Sequence, residues 1–194
     1  MTEDTISSEA TDKLERLIDR AEIHDCMARY VRGVDRGDAE LMRSAYHPDA
    51  YDDHGDYKGD VEGFIKWLDG RFAPFVNSMH HIGDSFVEFA GPDVAFVETQ
   101  YASRRLRQPT TEEAATLGAN DMVMRQAWGR YLDRFERRNG EWRIARRVVI
   151  VDDRFTSIAI GGARNTPSTW GYRSPSDPMY AFRSSVFKSP KPVG

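Results

Sequence analysis

The sequence predicts an α+β fold in which a curved antiparallel sheet forms a half-open cone packed against three N-terminal helices. Three observations carry that prediction. Apolar residues recur at three- and four-residue steps through Phe72, whereas from Ser78 onward the chain reads as long stretches of β-branched and aromatic residues. Turn signals at Gly91-Pro92-Asp93 and Asn139-Gly140 divide those stretches.

Taken in order, Leu14, Leu17, Ile18, Ala21, Met27, Tyr30, Val31 and Val34 predict a long amphipathic helix over about 11–34. Gly33 and Gly37 loosen its end, and Asp38 caps a second helix that runs to about Tyr46, before Pro48. Residues 50–59 read as a short hairpin around Asp53 to Gly55. Val61, Phe64, Ile65, Leu68 and Phe72 then predict a helix over 60–72, closed by Pro74. Strands are expected at about 79–90, 93–107, 121–138 and 141–155, and their twist curls the sheet into a cone whose mouth holds a small molecule. Residues 108–118 are either a short helix or an extended loop. The domain therefore spans 11–155. The remainder, 156–194, carries Trp170, Tyr172, Tyr180, Phe182 and Phe187 and is expected to pack on the domain or on a neighbouring subunit.

Composition narrows the function classes. The 194 residues carry 27 Lys and Arg against 31 Asp and Glu, a formal charge of −4, so no basic field is present to bind nucleic acid. No stretch reaches the roughly 18 apolar residues of a membrane span. The acidic start Met1-Thr2-Glu3-Asp4 and the single cysteine, Cys26, predict a cytoplasmic protein in reducing surroundings, without a disulfide or a Cys-rich zinc site.

Few residues offer chemistry. Asp35 sits where a helix C-terminus disfavours a carboxylate, which suits either a solvated turn or a functional acid. His80 and His81 open a strand, so alternation sends one ring to each face. Arg146 and Arg147 pose the same choice, and parity groups Arg147 with Val149 and Val151. Tyr30 lies about 140° around the helix from Asp35, so the two share a face only if the helix loosens. His47, His54, Asp49, Asp52, Asp53 and Asp56 crowd one hairpin without metal-ligand spacing and read as a solvated turn. Arg104, Arg105 and Arg107 read as strand-end charges guarding an edge, and Cys26 as a small buried residue. No phosphate loop and no serine-nucleophile motif is present.

A set of short motifs in fixed order spans about 13–155: Ala21-Glu22-Ile23-His24-Asp25, Gly33-Val34-Asp35-Arg36-Gly37-Asp38, His47-Pro48-Asp49-Ala50, Tyr57-Lys58-Gly59, Met79-His80-His81-Ile82-Gly83-Asp84 and Asn139-Gly140-Glu141-Trp142. In these the chain resembles the SnoaL-like lyase and isomerase branch of the nuclear-transport-factor-2-like superfamily. The resemblance implies an Asp35–His80 dyad, with His80 rather than His81 facing the cavity, and supporting roles for Tyr30 and for Arg147 as a positive charge in the cavity. It implies a lyase that needs no cofactor or metal, acting by β-elimination or a related proton shift on a small, largely apolar, steroid-like or polyketide molecule. A homodimer or homotrimer is expected. The superfamily also implies an alternative, a non-catalytic binder or small-subunit partner of an aromatic-ring dioxygenase. Asp84 departs from the asparagine often found there, and the tail lies outside the resemblance.

Overall fold

The computed structural model describes residues 7–161 and 170–187. Helix α1 (Ser8–Arg36) is capped by the Ser7 hydroxyl and ends at Gly37, whose φ of 66° suits a residue without Cβ. Its first turns differ from the expected amphipathic stripe: Leu14, Leu17 and Ile18 are exposed, and apolar burial starts near Ile23. The first half of α1 meets the sheet through polar side chains instead, Asp19 accepting from Trp142 and Arg137 and Arg20 donating to the Val87 carbonyl. Helix α2 (Ala39–Ser44) is capped by Asp38 as its sequence predicts. It packs so closely that a Cβ on Gly33 would lie 2.8 Å from the Met42 backbone nitrogen.

Strand β1 (Tyr46–Asp53) pairs with β2 (Lys58–Asp60) as the expected hairpin, followed by α3 (Val61–Phe72). Long strands β3 (Phe75–Phe89), β4 (Val94–Arg107), β5 (Met122–Arg138) and β6 (Glu141–Ala159) follow. Between β4 and β5, Thr110 and Glu113 form a capping box on the one-turn helix α4 (Thr111–Ala114), which resolves the helix-or-loop alternative. Asn139 and Gly140 both take positive φ, as an Asn-Gly hairpin turn requires.

The sheet order is β2-β1-β6-β5-β4-β3. It is mixed rather than purely antiparallel, since β1 runs parallel to β6. The cause is where α2 delivers the chain: Ala45 accepts a hydrogen bond from the Ile144 amide at 2.9 Å, and β1 then continues along the free edge of β6. The core lies between α1, α3 and the concave face, built on Phe64, Phe135, Trp142 and Ile144.

Two bulges decide which β6 side chains face inward. Arg134 pairs with Arg146 but Phe135 with Ile144, so Ala145 is an extra residue, and Trp142, Ile144 and Arg147 all turn toward the core. Trp128 pairs with Asp153 but Gly129 with Val151, which makes Asp152 the second extra residue and turns both Val151 and Arg154 to the cavity. Helix α5 (Pro178–Val186) follows a segment anchored near the end of α1, where the Arg173 guanidinium donates to the Val34 carbonyl at 3.1 Å and to Asp69 at 3.0 Å.

Candidate active site

The concave face and helices α1 and α3 enclose a cavity of about 360 Å³. Asp35, in the last turn of α1, is buried and accepts three hydrogen bonds from the start of β3. These come from the Ser78 hydroxyl at 2.7 Å, the His80 amide at 2.6 Å and His80 Nδ1 at 2.7 Å. Burial by itself raises the Asp35 carboxyl, but the His80 charge and these hydrogen bonds outweigh it and hold the carboxyl below its ordinary range. A carboxylate at Nδ1 assigns the proton to that nitrogen and leaves the Nε2 lone pair of neutral His80 free. His80 lines the cavity, whereas His81 is exposed on the other face. The unfavourable site at a helix C-terminus is thus offset by an amide, a hydroxyl and an imidazole.

Tyr30 reaches the same cavity without any loosening of α1, which stays helical through Arg36. Asp35 does not line the cavity itself and meets it only through His80, so a shared helix face is not needed. The Tyr30 hydroxyl lies 3.3 Å from His54 Nε2, and His54 Nδ1 is bonded to Asp52. Burial pushes the Tyr30 phenol well above its ordinary range, opposed by the nearby Arg147 charge, so it keeps its proton and serves as a donor.

This places a second imidazole–carboxylate pair in the cavity, contrary to the reading of the hairpin as a solvated turn. Asp49 and Asp53 do lie outward, paired with Arg138 and Lys58, whereas Asp56, paired with Arg71, is exposed at the rim of the cavity. Asp52 is fully buried and also accepts from the Tyr46 hydroxyl at 2.7 Å, while His54 stacks on Phe64. Strand alternation separates Asp52 from Asp53, and the buried neighbours Tyr46 and Ala50 were the available signal. Among the described residues no group of His, Cys, Asp or Glu is arranged to hold a metal ion.

Arg147 stands elsewhere than expected. It is fully buried, its guanidinium bound to Asp133 at 2.7 and 2.6 Å and set between the rings of Tyr30 and Tyr131, 4.1 and 4.3 Å from their centroids. It does not line the cavity but lies behind Tyr30. Burial works against its charge, and Asp133 more than compensates, holding it cationic. The arginines that do line the cavity are Arg71, Arg105, Arg125 and Arg154. Arg105 is therefore not an edge charge: with Tyr101 and Ser103 it occupies the inward parity of β4, a signal hidden by its neighbours Arg104 and Arg107.

Cys26 is buried in α1, where desolvation pushes its thiol up to about 12, so it is inert packing. No described helix is long and apolar enough to cross a membrane.

Comparison with known structures agrees with this architecture. A hexachlorocyclohexane dehydrochlorinase (LinA, type 2) superposes with a TM-score of 0.65 at 20% identity, covering 79% of this chain and 99% of that one. A LinA type 3 dehydrochlorinase from Novosphingobium barchaimii LL02 gives 0.62 at 18%, covering 75% and 94%. A candidate scytalone dehydratase from Novosphingobium aromaticivorans DSM 12444 gives 0.62 at 16%, covering 74% and 90%. At such identities the likeness is one of fold. No curated protein matches this chain. The model of the SnoaL-like domain, however, matches residues 15–148, most of the described cone, and on that match the chain belongs to the SnoaL-like domain family.

Proposed function

We propose that the protein is a lyase in which His80 removes a proton from carbon, driving β-elimination or a related proton shift on a small molecule held in the cone. The observation that carries this reading is the His80 imidazole, fixed through Nδ1 on the Asp35 carboxylate with Nε2 open to the cavity. The dehydratase and dehydrochlorinase names among its fold neighbours support the same reaction class.

In the proposed step the C–H bond breaks toward His80 Nε2 and its electron pair forms the new double bond as the bond to the leaving group breaks. Asp35 stabilises the imidazolium. Tyr30, still protonated, turns its hydroxyl from His54 to the departing oxygen or to a developing enolate oxygen. A hydroxide leaves as water after taking the proton back from His80, which restores the neutral base. Asp52–His54 holds the Tyr30 hydroxyl in place between turnovers, and Arg147 supports the Tyr30 ring from behind as a positioning residue.

His80→Ala and Asp35→Asn are each expected to lower turnover at least ~10²-fold with an unchanged circular dichroism spectrum. Screening the wild type for proton loss from hydroxylated polycyclic compounds in D2O supplies the substrate for that comparison. Wild-type rates in both variants would remove the proposal, and binding of such compounds by the wild type without turnover of any of them would favour the alternative of a binding subunit.

A further inference from the structure

The cavity wall carries four arginines against one carboxylate, Asp56. Arg71 is paired with Asp56 at 3.1 Å and lies over Trp67. Among the described residues, Arg105, Arg125 and Arg154 meet no carboxylate at salt-bridge distance. Asp35, whose charge reaches Arg105, is already taken up by His80 and Ser78.

The arrangement is costly for the empty protein. Arg105 and Arg125 are direct cross-strand partners, and like charges at such a pair are destabilising. Arg154 joins them from β6, turned inward by the bulge at Asp152 and paired with Ala127, two residues from Arg125. The Arg105 guanidinium is fixed 4.3 Å over the Phe72 ring, yet its Nε is buried without a hydrogen-bond partner. The Ser103 hydroxyl, two residues away on the same face of β4, is a second buried group without a partner. Burial, with a smaller contribution from the Arg71 charge, pushes the Arg105 guanidinium below its ordinary range, the expected response of a charge lacking its counterion. An anionic group with planar oxygens answers all of these features, because an arginine fork matches a carboxylate and a hydroxyl adds a third donor.

We infer that the cavity takes an organic carboxylate, its apolar body against Leu68, Phe72 and Val149, its carboxylate on Arg105 and Ser103, with Arg125 and Arg154 as countercharge at the mouth. What then happens to the bound acid rests on the lyase reading above. Ser103 is the cross-strand partner of His80, their backbones one strand spacing, roughly 4.8 Å, apart, so a carboxylate held by Ser103 lies beside the base. The cavity thus selects a molecule with an acid group close to the carbon that loses its proton, narrower than a merely apolar substrate.

Calorimetric titration of the full chain with benzoate, cinnamate and 2-naphthoate, each against its primary amide, tests this without any turnover. At least one acid is expected to bind tenfold or more tightly than its amide, with affinity falling as salt rises. Arg105→Gln should remove most of that preference and Arg125→Gln a smaller part. Equal binding of every acid and its amide, or no binding by any acid, overturns the inference, and tighter binding of 2-naphthyl phosphate than of 2-naphthoate overturns the choice of carboxylate. Should Arg105→Gln not fold, the wild-type comparison still decides. In His80→Ala the acid preference is expected to persist, whereas turnover confined to neutral substrates would sink this inference and keep the lyase reading.

Discussion

Arg147 and Asp133 illustrate how a residue's chemistry depends on what surrounds it. Both side chains are fully out of water and joined by two hydrogen bonds, so each is tolerable only because of the other. Arg147→Met leaves a buried carboxylate without its partner and is expected to cost ~3–5 kcal/mol in urea unfolding. Arg147→Met with Asp133→Leu should recover most of that loss, since a buried ion pair exchanged for apolar residues is often close to neutral. A double variant as unstable as the single one would show that Arg147 matters through the rings of Tyr30 and Tyr131 rather than through Asp133. The sequence made Asp35, His80 and Tyr30 visible as residue types out of place: a carboxylate at a helix C-terminus, an imidazole at a strand start, a phenol on an apolar stripe. It could not tell Arg147 from Arg105, because both are strand arginines, and only the partner across the sheet separates the buried pair from the cavity cation.

At the level of elements, β6 does what no alternation rule anticipates. Its bulges at Ala145 and Asp152 each reset the parity, which brings Trp142, Ile144, Arg147, Val149, Val151 and Arg154 to one side. Gly129 sits at the second bulge because β5 and β6 approach too closely for a side chain: a Cβ there would stand 2.0 Å from the Ile150 carbonyl and 2.9 Å from the Tyr101 hydroxyl. Gly129→Ala is therefore expected to destabilise by roughly 1–3 kcal/mol or more, as overpacking does, and to displace Tyr101, which lines the cavity. An unchanged urea midpoint would contradict that close approach. The helices, the long strands and the Asn139-Gly140 turn were readable from the sequence because each is specified by near neighbours. The exposed start of α1 was not, since Leu14, Leu17 and Ile18 have helical spacing whether or not a sheet lies beneath them.

The whole molecule stores part of its stability in carboxylates held below their ordinary range. Asp35 is held down by His80 and Ser78 against burial, Glu136 by Arg134 and Arg138, and Glu141 by Arg143. A depressed folded pKa contributes stability that is complete above the unfolded value, about 4, and is lost as pH falls through the lower folded value. These groups therefore add no slope above about pH 5, and the thermal midpoint should drop as pH falls below about 4. Asp35→Asn should flatten part of that drop, and a midpoint insensitive to pH between 2 and 5 would refute the assignment. At this scale the sequence by itself determined the order of helices and strands, the α+β class, the family and the residue types available for proton transfer, because those follow from periodicity, turn chemistry and short motifs. Only the tertiary structure decided that β1 runs parallel to β6, that Asp52 and His54 turn inward, and which arginines are paired and which face the cavity. The reason is physical: burial and charge pairing belong to the contacts between strands distant in sequence, and a single extra residue in one of them moves every side chain beyond it to the opposite face.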